Sequence, residues 1–199
     1  MIANVSRMVA LFTLVLLCGC SSTHPAAAKP IDPGTLQSAQ KRADPRVYNN
    51  SLNLLHDLLG DEKDVSKVLI IKDASPPVVQ LIKDISKTAG ADFKTLESFV
   101  PPNASRDWDR LDLPPGEKAV RAGMSKTKEH DLLHASGKEF EFLLLLTQAD
   151  ALGYGTQLAR TAAENEPDPA RARPLADMSN QLNQLHADVL GLLRAHRSW

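Results

Sequence analysis

Cysteine is nearly absent from this chain of 199 residues: there are two, Cys18 and Cys20, and none afterwards. Everything beyond position 20 therefore lacks the means for a disulfide, a thiolate metal ligand or a cysteine nucleophile. Aromatic residues are scarce, at 5%, so a core has to be built from Leu, Val, Ile and Ala. No charge of one sign dominates. A net charge of -1 gives no long-range pull on nucleic acid or on an acidic membrane surface. Arg160, Arg171, Arg173, Arg194 and Arg197 are scattered among acids. With few rings to stack on bases, nucleic acid is not an expected partner.

Catalytic patterns are missing too. There is no Gly-x-Ser-x-Gly elbow to present a nucleophilic serine and no Gly-rich loop to cradle a phosphate. The residues expected of a catalyst are absent, and the expectation is a protein that is not an enzyme and carries no cofactor. A helix that crosses a bilayer needs about 20 apolar residues, and no run reaches that length.

What is present begins at the N-terminus. Arg7 is the only charge before an apolar run over residues 8–17, broken only by Thr13. That length suits the core of a signal peptide better than a membrane span. The run ends in Leu17-Cys18-Gly19-Cys20, followed by Ser21 and Ser22. This resembles the bacterial lipobox. The resemblance implies cleavage after Gly19, a diacylglycerol thioether on Cys20 and acylation of the new amino group. Several chains on one residue give stable anchoring. Ser21 after the anchor resembles the sorting signal for the outer membrane, which places the expected domain on the periplasmic face of the envelope. Residues 1–19 are thus read as signal peptide, 20–45 as lipidated tether and 46–199 as the folded domain. The tether is rich in Pro, Ala and Ser without apolar periodicity, and some 25 such residues span roughly 25–30 Å.

From Val47 onward the periodicity is helical, and no period-2 strand is evident. Leu52, Leu55, Leu58 and Leu59 form a short stripe, with Gly60 as its expected stop. Residues 61–72 read as a further helix, with acids at its positive end. Ser75-Pro76 opens a helix carrying Val78, Ile82, Ile85, Ala89, Phe93, Leu96 and Val100, which must end at Pro101. A connector, residues 103–115, contains Trp108 and is expected to cover one end of a bundle. Pro115 and Glu117 open a segment running to His134. Ser136-Gly137-Lys138-Glu139 matches a capping box, although one helix running on through Gly137 fits as well. The clearest stripe is Phe140, Leu144, Thr147, Ala151, Tyr154 and Leu158; residues 165–169 break it. Asp168-Pro169 caps a last helix lined by Leu175, Met178, Leu182, Leu185, Val189 and Leu192. Spacings that alternate three and four are those of a left-handed bundle. The expected fold is all-α: an antiparallel four-helix bundle over residues 61–197, with one or two accessory helices.

Phe140, Leu144-Leu145-Leu146, Ala149, Leu158, the break at 165–169, Leu182 and His186 resemble the last helix pair of an uncharacterised bacterial family. Its members are exported, ferritin-like helical domains described as outer-membrane proteins of unknown function. Residues 64–99 resemble the family's first helix pair, so the likeness covers about two-thirds of the chain. Such domains often carry Asp-His within a helix, where this chain has Thr147-Gln148. The resemblance implies a fold and no activity.

A ferritin-like bundle raises the question of a di-iron centre, which requires Glu-x-x-His on two helices. None of the Glu residues, at 62, 97, 117, 129, 139, 141, 164 and 166, has His three positions on. That type of centre is excluded. His130 and His134 stand four apart and can share a helix face, where zinc or copper would need a third ligand such as His186 or Glu139. The commoner reading of such a cluster is a solvated face near a helix end. Gly153 and Gly155 flank Tyr154 inside a helical pattern, which suggests close helix approach around a core tyrosine or, alternatively, a ligand crevice beside its hydroxyl. The run Leu143 to Leu146 suits a buried position or the interface of a homodimer. Two functional expectations follow. The first is a non-enzymatic envelope lipoprotein that binds another envelope protein or supports envelope structure, anchored to the membrane by its lipid. The alternative is a ligand- or metal-binding bundle using His130 and His134.

Overall fold

The computed structural model describes residues 44–114 and 116–196. The signal peptide, Cys20, most of the tether and Pro115 lie outside the described residues. Five α-helices follow in order: α1 Pro45–Glu62, α2 Pro76–Ser98, α3 Glu117–His134, α4 Gly137–Asn165 and α5 Pro169–His196. A 3-10 helix, Val65–Ile70, lies between α1 and α2, and there is no strand among the described residues.

Asp44 caps α1: its side chain accepts the Arg46 N–H at 2.8 Å, and Pro45 supplies a helical φ in the first turn. The helix does not stop at Gly60 as its sequence suggests. It runs on to Glu62, and a Cβ at position 60 would sit 3.3 Å from the Phe93 ring. This glycine serves a close passage of α1 against α2, not a stop. The helix expected over 61–72 is corrected in turn. Its first two residues belong to α1, and the rest tightens into the 3-10 segment. At three residues per turn, Val65 and Val68 fall on one buried face, which leaves Ile70 81% exposed.

Ser75 precedes α2 but makes no side-chain cap. Its hydroxyl donates to Glu141 Oε2 at 2.9 Å, and its N–H bonds the same carboxylate, tying the start of α2 to α4. The break at Ser136-Gly137 is present, with Gly137 at φ +56, so α3 and α4 are separate helices. The capping box is not formed, because Ser136 makes no side-chain cap hydrogen bond. Asp168 does cap α5, accepting from Ala170 N–H at 2.9 Å.

Helices α4 and α5 pack most extensively, α1 lies on α4 and on α2, and α2 meets α5. The core is aliphatic, as the composition requires: Leu52, Leu55, Leu58, Ile82, Leu144 and Leu152 are buried, with Phe140 the fully buried ring among the described residues. Each such side chain contributes about 1.5–3 kcal/mol. Helix α3 is an outlier; it buries Ser125 and Leu132 alone and rests on α4. Of the leucine run in α4, Leu144 and Leu145 are buried, while Leu146 and Phe142 stay about two-fifths exposed.

Candidate functional site: a cleft between helix α1 and the connector

Three asparagines, Asn49, Asn50 and Asn53, project from α1 toward the segment that follows α2. Asn50 grips the backbone of Asp112 twice, donating to its carbonyl at 3.1 Å and accepting its N–H at 3.0 Å. Asn53 donates to the carbonyls of Asp107 at 3.2 Å and Arg110 at 2.7 Å. Its own oxygen accepts from Arg106 at 2.7 and 2.9 Å, and Asn49 Oδ1 accepts a further Arg106 N–H at 3.1 Å. An irregular segment needs partners for its backbone polar groups, and here helix side chains provide several. The connector is therefore a fixed strap on α1.

A ring stack completes the fixing. The His56 ring lies parallel to Trp108, at 3.9 Å and 6°, and is tilted against Phe93 of α2 at 4.4 Å and 32°. Lys63 sits over the Phe93 ring at 3.6 Å and Arg106 over Trp108 at 4.8 Å, both within cation–π range. Burial, followed by the nearby Lys63 and Arg106 charges, pushes the His56 pKa down to about 4. His56 is thus neutral near pH 7, and its buried Nε2 has no hydrogen-bond partner. Trp108 thus lies against His56 of α1.

Between α1 and the strap lies an open cleft of about 780 Å³. Arg46, Arg106 and Arg110 line it on a background of amides, Asp107 and Asp112, with Phe99 and Leu111 as apolar surface. The volume falls within the roughly 300–1,000 Å³ of small-molecule sites. Its polar lining combines the guanidinium N–H donors of the three arginines with the carboxylates of Asp107 and Asp112, and the donors suit a ligand rich in acceptors. Sequence reasoning missed this site, because Asn49, Asn50 and Asn53 belong to no motif that marks them out from other polar residues of a helix. Their spacing of one and three was the only available signal.

The residues singled out from sequence lie elsewhere. His130 and His134 do come together at the end of α3, with exposed rings stacked at 4.0 Å. Nδ1 of His134 lies 2.7 Å from the His130 carbonyl, which places the proton on that nitrogen. His186 does not join them. It is half-buried on the α4–α5 seam, where a Cβ at Gly153 would lie 3.4 Å from its Nε2. Burial lowers its pKa, and Asp150 opposes the shift. No group of three His, Cys, Asp or Glu side chains is placed to hold a metal ion among the described residues. Tyr154 is half-buried, not a core tyrosine, and its hydroxyl accepts from Arg121 at 3.2 Å. Close helix approach is present at Gly155 instead, where a Cβ would lie 2.7 Å from Leu58 Cδ2 and 3.2 Å from Leu182 Cδ1.

A second polar feature lies inside the bundle. Glu62, 6% exposed, hydrogen-bonds Gln148 of α4, and burial pushes its pKa up to about 8 despite that bond. Burial likewise raises Asp61 to about 7 and Asp92 to about 6. Glu62 Oε2 and Gln148 Oε1 both lack partners. A protonated Glu62 removes the cost of a buried charge and turns Oε2 into a donor.

No protein-family model, curated protein or solved structure matches this chain. Among the described residues no helix is long and apolar enough to cross a membrane.

Proposed function

We propose that the chain is a lipid-anchored protein of the bacterial envelope whose helical domain acts by binding, without catalysis. The observation that carries this reading is Leu17-Cys18-Gly19-Cys20 after a short apolar run, followed by a Pro- and Ala-rich stretch up to the helix cap at Asp44. An anchor on Cys20 and a tether of some two dozen residues would hold the domain near a membrane surface. The partners proposed are that membrane, through the lipid, and a protein of the same envelope. Outer-membrane sorting is proposed from Ser21.

For the domain we propose an antiparallel, ferritin-like four-helix arrangement of α1, α2, α4 and α5, with α3 as the accessory helix. Cross-contacts that run in opposite sequence directions support it. Gly155 meets Leu182 where Gly153 meets His186, and Gly60 meets Phe93 where Lys63 meets Gly90. The connection from α2 to α4 is long and contains α3, which matches the single crossover of ferritin-like bundles.

Replacing Cys20 with Ser tests the anchor. The variant is expected to keep its helical circular dichroism, lose incorporation of labelled fatty acid and move from the membrane to the soluble fraction. Cys20→Ser protein that still sediments with membranes would overturn the proposal.

A further inference from the structure

We infer that the cleft between α1 and the strap binds an oxyanion, a carboxylate or phosphate on a partly apolar body, with Arg106 in its wall and Arg46 and Arg110 at its rim. Charge is the first argument. Arg106 is half-buried, yet among the described residues its hydrogen bonds go to uncharged oxygens of Asn49 and Asn53. Burial, joined by the nearby Arg171 charge, pushes its pKa down against the opposing influence of Tyr48 and Glu166. Glu166 acts on this guanidinium only through space, and a half-buried guanidinium hydrogen-bonded to amide and carbonyl oxygens is left incompletely compensated. Arg110 is exposed on the strap, and Arg46, with an 81% exposed side chain, pairs among the described residues with the Asp44 carboxylate at 3.9 Å. Two carboxylates also line the cleft; one oxygen of Asp107 is engaged by the Asp109 N–H at 3.2 Å. Three guanidiniums and two carboxylates line the cleft, with Asp44 beside Arg46 outside the lining, so the attraction for an anion is local to the guanidiniums and not a net charge.

Preorganisation is the second argument. The strap is clamped by Asn50, by Asn53 and by the Trp108–His56 stack, so the backbone that carries Arg106 and Arg110 is held in place before any ligand arrives, and the Arg106 guanidinium with it. Little ordering has to be supplied on binding. Phe99 and Leu111 add apolar surface, and the volume exceeds what a bare anion needs. Guanidiniums bind carboxylate and phosphate through paired N–H donors. This inference concerns the folded domain and does not depend on lipidation.

Trp108 provides the readout, because Arg106 lies over its ring. The full chain carrying Trp199→Phe is titrated with inorganic phosphate at low ionic strength while Trp108 emission is followed. A saturable change is expected. Arg106→Gln should weaken it about tenfold or more, the effect of one charge-assisted hydrogen bond. Because Arg106 also holds the strap, the deciding variant is Arg46→Gln with Arg110→Gln, whose side chains clamp nothing on it. That double variant should keep the Trp108 emission of the free protein and lose phosphate affinity by at least the same factor. No saturable change, or equal affinity in the double variant, would overturn the inference. Phosphatidylglycerol vesicles that displace phosphate, with phosphatidylcholine vesicles inert, would identify a lipid headgroup as the source of the anion. Phosphate binding that neither vesicle disturbs would identify a soluble one.

Discussion

At the scale of the residue, two titratable groups, Glu62 buried and His56 half-buried, carry opposite pH signatures. Glu62 has its pKa raised from 4.5 to about 8 in the fold. The native state therefore holds a proton that the unfolded chain releases, and stability is lost as pH rises from about 4.5 toward 8. His56 behaves in reverse. Its pKa falls from 6.5 to about 4, so its contribution is present above 6.5 and lost as pH drops toward 4. Glu62→Gln keeps the shape and the bond to Gln148 while removing the titration. It should raise the melting temperature at pH 8 more than at pH 5; an equal shift at both would show that Glu62 is charged in the fold. For His56, acid should free the strap. Trp108 emission in the Trp199→Phe background is expected to shift to the red below about pH 4, and His56→Phe should abolish that step by keeping a ring that cannot be charged. Emission that follows the same acid curve in both proteins would place the sensor elsewhere.

At the scale of the element, glycine shows how one residue type does different work. Gly155 lies where α4 passes α1 and α5, and an added methyl would strike Leu58 and Leu182. Gly191 of α5 has nothing within 4 Å of a would-be Cβ. Alanine favours a helix by about 1 kcal/mol over glycine, and overpacking costs about 1–3 kcal/mol. Gly191→Ala should therefore stabilise by about 0.5–1 kcal/mol, whereas Gly155→Ala should destabilise, by up to about 2 kcal/mol net. Urea titrations that move both variants in the same direction would refute the packing account. The stripes of α4 and α5 were legible because three-four spacing survives any particular packing partner. The 3-10 segment was not. Val68-Leu69-Ile70-Ile71 suits several conformations, and contacts made from Val65 and Val68 selected one.

At the scale of the molecule, the packing is uneven. Helices α4 and α5 share the largest interface, whereas α3 buries only Ser125 and Leu132. Local opening follows such differences in burial. Hydrogen exchange should proceed fastest in α3 among the five helices and slowest along the α4–α5 seam, and comparable protection of α3 would contradict this picture. Fast opening of α3 would leave the strap in place, since the strap is tied to α1 instead.

The sequence by itself determined an all-helical domain built from aliphatic stripes, because periodicity and capping are local properties that need no partner. Its Cys20 motif likewise stands on adjacent residues alone. The tertiary structure decided what distance along the chain conceals. It placed Gln148 beside Glu62, Trp108 on His56 and Arg106 between Asn49 and Asn53, pairs separated by 50 residues or more. It also left His186 apart from His130 and His134, two histidines whose spacing of four already placed them together. Burial and charge compensation arise only when distant segments meet, which is why the cleft and its guanidiniums could not be read from the order of residues.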